Sequence, residues 1–92
     1  MMRARRESSL TGMPFFLLHH QHAAPECDAA FAAWHGFVSP LRRETAASSC
    51  LAGGHAVWWR VEARDRRSAL ALLPPYVARR TSVIPVRDIQ IP

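Results

Sequence analysis

Apolar positions along this chain form four short stretches with strand spacing and two with helical spacing, and their order predicts the fold. Residues 14–22 read Pro-Phe-Phe-Leu-Leu-His-His-Gln-His, apolar on both faces and then polar, which suits a strand that ends in histidines. Pro25 fits the first position of a helix, with Glu26 and Asp28 near the positive end of its dipole. Cys27, Ala30, Phe31 and Trp34 recur at helical spacing and form the stripe that this helix is expected to bury, with Gly36 as its stop. After a connector containing Ser39-Pro40, a weak strand over 46–50 meets a strong one over 55–63 across Leu51-Ala52-Gly53-Gly54. The two glycines are expected to supply the positive φ angles of a tight hairpin. Val57, Trp59, Val61 and Ala63 make one apolar face of the strong strand; Ala56, Trp58, Arg60 and Glu62 make a mixed one. Asp65 can cap a second helix bearing Ala69, Leu72, Leu73, Tyr76 and Val77, which Pro74-Pro75 should kink or split. Residues 82–91 read as a last strand, and Pro85 points to an edge or a bulge there.

The order β-α-β-β-α-β is the split unit of a ferredoxin-like α+β fold: a four-stranded antiparallel sheet with two helices on one face and the first and third strands as central neighbours. The other sheet face is then bare. An apolar face of that kind marks an interface, so homodimerisation through the sheets is the expectation. Residues 1–12 read as a disordered N-terminal extension without the apolar core or cleavage site of a secretory signal, and 13–92 as the domain, Met13 being the alternative start.

With 92 residues there is room for one core. The longest apolar run, 13–18, is far short of the roughly 20 residues of a membrane helix, so a soluble, cytoplasmic protein with reduced thiols is expected. The net charge is +5, yet every basic residue is Arg, and outside the N-terminal stretch they are scattered, mostly in the pairs Arg42-Arg43, Arg66-Arg67 and Arg79-Arg80. No stripe of interleaved aromatics accompanies them, which favours a solvated surface over nucleic-acid binding. The segment 54–60 also lacks the basic residue before its glycine that RNA-recognition sheets carry.

The topology, together with the strand ending Val61-Glu62-Ala63 before an Asp-capped helix, resembles the dimeric α+β barrel families. These include muconolactone-isomerase-like and YciI-like proteins, small antibiotic-type monooxygenases and small nickel-binding actinobacterial proteins. The segment 50–59 with Trp34-His35-Gly36-Phe37 is similar to a small uncharacterised bacterial family. The resemblance implies a dimer with a pocket between sheet and helices, and toward the nickel binders it implies a metal role. The His and Asp pair of the YciI-like group and a monooxygenase triad are missing, so no catalytic residue is carried over.

Candidate chemistry lies at the strand and helix ends. An antiparallel first and third strand would bring His20 and His22 beside His55, with Cys50 across the hairpin and Cys27 opening the first helix. Two imidazoles and two thiols suit a tetrahedral ion, Zn, Ni or Cu. His20 and His22 share one strand face and His19 takes the other, while His35 stands apart. No CxxC or HxxxH motif adds support. A ligand-binding protein, with a transition metal at His20, His22, Cys27, Cys50 and His55, is therefore the leading reading. One rival is a cofactor-free isomerase or monooxygenase-like enzyme, with a His as proton carrier or Cys27 as nucleophile and a pocket lined by Trp34, Trp59 and Tyr76. The other is a structural or partner-binding dimer.

Overall fold

The computed structural model describes residues 12–92; the extension expected over 1–12 lies, apart from Gly12, outside the described residues. The elements run β1 (Phe15–Gln21), a 3-10 turn (Ala24–Glu26), α1 (Cys27–Ala32), β2 (Ala47–Ser48), a second 3-10 turn (Cys50–Ala52), β3 (Ala56–Glu62), α2 (Arg66–Leu70), α3 (Pro75–Ala78) and β4 (Thr81–Val86). They form an α+β fold around one four-stranded sheet of order β2-β3-β1-β4, every neighbouring pair antiparallel.

Strand alternation decides which side of that sheet is filled. Phe16, Leu18 and His20 point one way along β1, and the register sets them opposite Val61, Trp59 and Val57 of β3. Ala69, Leu73 and Val77 cover this side and join Phe16, Leu18 and Val61 in one buried cluster. The apolar face assigned to β3 is thus the inward one. Asp65 caps α2 by accepting a hydrogen bond from Ser68 N at 2.8 Å. Pro74-Pro75 does split the second helical segment, because a proline ring cannot continue the ladder of α2 yet is well placed in the first turn of α3. Pro85 sits in β4, which pairs only with β1 and so tolerates a missing donor on its outer edge.

The first helix and the hairpin depart from expectation. The helical segment after Pro25 is shorter than its pattern suggests, and Phe31 is 56% exposed instead of buried with Ala30. At the hairpin, Gly53 takes a positive φ of +86°, but the second positive φ belongs to His55 (+54°), not to Gly54. Gly54 is needed for space: a Cβ there would collide with Ser49 Oγ and lie 2.7 Å from Ser49 Cβ. That contact is fixed because Gly54 N donates to Ser49 O at 2.8 Å and Ala56 N donates to Ser49 Oγ at 3.2 Å. Only Ala47–Ser48 of the weak strand pairs with β3, and Cys50 opens the turn that follows.

The outward sheet face carries Phe15, Leu17 and His19 of β1 beside Trp58 of β3 and Ile84 of β4. His19 stacks flat on Trp58, their ring centroids 5.1 Å apart and 5° from coplanar. Among the described residues no helix is long and apolar enough to cross a membrane.

Leu18 has no exposed surface and lies at the centre of the buried cluster. Leu18→Ala is expected to cost about 2–5 kcal/mol in urea unfolding. Leu51→Ala, at a fully exposed position, should stay within about 0.5 kcal/mol of the parent.

Candidate metal centre

The paired strands β1 and β3 deliver the site. Gln21 faces Ala56 at the end of the ladder, and one residue further His22 N donates to His55 O at 3.1 Å, so the two histidines leave the sheet side by side. Cys27 is brought in by the 3-10 turn before α1. Glu26 in that turn accepts hydrogen bonds from Ala23 N at 2.9 Å, Arg80 Nε at 3.0 Å and Tyr76 OH at 3.2 Å, which fastens the start of α1 to α3 and to the residue just before β4. Cys50 comes from the turn on the β2 side, its N–H held by Ser48 Oγ at 3.1 Å.

Three of the five predicted ligands form one mutually close group, and a fourth, Cys27, touches two of its members. His22, Cys50 and His55 each offer a ligand atom within 4.8 Å of the other two. Cys27 Sγ lies 3.3 Å from His22 Nε2 and 3.1 Å from His55 Nδ1, between the same two imidazoles. Both cysteines are free and half-buried. His22 is buried and His55 half-buried.

His20 stands behind this group. It is 2% exposed, and its two ring nitrogens are engaged: Nδ1 lies 3.3 Å from Val77 O, and Nε2 lies 2.9 Å from His22 Nδ1. A carbonyl only accepts, so Nδ1 of His20 carries the proton and its Nε2 is the acceptor. His22 must then donate from Nδ1, which leaves its Nε2 lone pair aimed at Cys27. The hydrogen-bond pattern thus assigns the tautomer that a metal-ligating His22 needs. Thr81 completes the anchor by donating to the same Val77 carbonyl at 2.7 Å. Burial holds the His20 imidazole below the ordinary histidine value of 6.5; charge on His22 and Arg80 acts in the same direction, against the Val77 carbonyl and Glu26.

The remaining candidates separate. His19 is on the opposite sheet face and His35 is exposed beyond α1. A cavity of about 320 Å³ adjoins the cluster and shares His20 and His22 with it; Trp34 and Trp59 line it, but Tyr76 does not. The Tyr76 ring instead lies under the Arg80 guanidinium, 3.8 Å from centroid to Cζ. Two features of this region carry no signal in the sequence pattern. Thr81 opens a strand without marking itself as an anchor, and the Arg42-Arg43 pair reads as solvated surface although both residues line the cavity. Searches against protein families, curated proteins and solved structures return no match for this chain.

The sign of the His20 shift fixes a pH dependence. Below about pH 6.5 the unfolded chain takes up a proton that folded His20 resists, so this contribution to stability is whole above that pH and is lost as pH falls toward the lower folded value. Chelator-treated protein should have a lower urea midpoint at pH 5.5 than at pH 7.5, and His20→Leu should narrow the difference.

Proposed function

We propose that this chain is a small metal-binding protein whose ion, best served by Zn(II), is held by His22, Cys27, Cys50 and His55. The observation that carries the reading is the approach of the His22, Cys50 and His55 ligand atoms to within 4.8 Å of one another, with Cys27 touching both imidazoles. Metal–nitrogen and metal–sulfur bonds of tetrahedral zinc put neighbouring ligand atoms about 3.3–3.8 Å apart. The two Cys27 contacts, 3.3 and 3.1 Å, are already near that spacing. Cys50, at the start of the second 3-10 turn, lies within 4.8 Å of both histidines. Two thiolates also neutralise a divalent ion, so a half-buried site would hold no net charge. Two nitrogens and two sulfurs in this arrangement favour zinc over nickel, which with such donors turns square-planar.

His20 is a positioning residue in this reading. Partners of ligating histidines that fix the tautomer typically contribute 10–100-fold to affinity. The strand order and its antiparallel pairing support a ferredoxin-like description, and the half-exposed apolar face with Leu17, Trp58 and Ile84 supports pairing of two copies.

Protein purified without a histidine tag should contain about one zinc per chain by elemental analysis, and its Co(II) form should show a tetrahedral visible spectrum with thiolate charge-transfer bands. Cys27→Ser and Cys50→Ser should each weaken those bands, His55→Ala should lower zinc affinity, and His20→Leu should lower it about 10–100-fold while leaving the bands in place. A Co(II) form without thiolate bands, or Cys50→Ser with unchanged affinity, would remove the reading. In light scattering the parent should run as a dimer and Trp58→Glu as a monomer.

A further inference from the structure

The cavity beside the cluster has two chemically distinct parts. Its body is apolar: the Trp34 and Trp59 rings meet at 47° with centroids 5.9 Å apart, and Phe31 stands at the edge, its ring turned edge-on to His22 at 6.5 Å. A volume of about 320 Å³ is at the small end of ligand pockets and admits a molecule of one or two rings. Its mouth is polar, formed by Arg42, Arg43 and Glu44 from the connector after α1. Neither arginine forms an ion pair among the described residues, so the mouth keeps a net positive charge beside the single Glu44 carboxylate.

Backbone strain coincides with that mouth. Among the described residues only Arg43 and His55 carry a side chain at positive φ, Arg43 at +72°. One of the two belongs to the His/Cys cluster; the other, with Arg42, lines the cavity. Residues other than glycine stay in this region only where their surroundings enforce it, and such positions gather at ligand clamps. A guanidinium presents a planar fork of donors that matches a carboxylate.

We propose that this cavity binds a small aromatic carboxylate, its ring in the Trp34–Trp59 corner and its carboxylate at Arg42 and Arg43. The aromatic walls take up the flat apolar body, and the paired arginines reject the neutral analogue. Binding of this kind needs no metal, so it stands apart from the zinc reading although the two sites share His22.

The probe is 2-naphthoate, titrated into chelator-treated protein and followed by tryptophan fluorescence and calorimetry, with 2-naphthalenemethanol as its neutral counterpart. Saturable one-to-one binding of naphthoate at least tenfold tighter than the alcohol is expected. Arg42→Gln combined with Arg43→Gly, which keeps a residue at ease with positive φ, should abolish that preference and leave alcohol binding unchanged; Trp34→Ala should weaken both ligands. Equal affinity for acid and alcohol, or no saturable binding of either, overturns the proposal, as does a preference that survives loss of both arginines. The titration repeated with zinc-saturated protein separates the two readings: absence of zinc uptake with naphthoate binding intact removes only the metal, and zinc uptake without naphthoate binding removes only the carboxylate.

Discussion

The register of β1 against β3 is the constraint on which the rest of this structure depends. Seven residue pairs, from Phe15 with Glu62 to Gln21 with Ala56, set one strand against the other, and a slip by one residue would turn Phe16, Leu18 and His20 from the core to the outer face. Burial of Phe16, Leu18 and Val61 beneath α2 and α3 holds that register. Because the same ladder ends with the His22–His55 backbone hydrogen bond, the energy that fixes the core also fixes the spacing of the two imidazoles. The site therefore needs no dedicated loop to bring them together.

Inside that frame the histidines divide their work by depth. His20, the deepest, is held neutral by burial and tied to Val77 O, and through its other nitrogen it orients His22. The result is a relay in which a carbonyl of α3 decides which nitrogen of a residue beyond the end of β1 keeps its lone pair. Packing of α3 on the sheet and the chemistry at the sheet edge are in this way one arrangement. Glu26 does the corresponding job for Cys27, binding the turn that carries it to Tyr76 and Arg80 of the same region.

The hairpin and the connector carry the strain that the ladder does not. Gly54 lies too close to Ser49 for any side chain, and this tight closure passes the left-handed conformation on to His55. Arg43 shows the same conformation at the cavity mouth. Neither position is buried, His55 being half-buried in the cluster and Arg43 exposed in the cavity lining, so core packing is not what holds them there.

Periodicity was enough to read the strands, the proline break and the Asp65 cap, because alternation, missing donors and capping are local properties that a few adjacent residues settle. It also placed His22 beside His55, since antiparallel pairing of histidine-ended and histidine-started strands brings the two together whatever surrounds them. What it could not give was depth and partners. That His20 lies beneath the cluster, that Tyr76 turns to Glu26 instead of the cavity, that Phe31 stays exposed, and that Arg42 and Arg43 line one cavity with the tryptophans are outcomes of how helices and the connector settle on the sheet. Those contacts join residues tens of positions apart, such as His20 and Val77, and they are chosen by the volume left between packed elements, a quantity that no local pattern of residues contains.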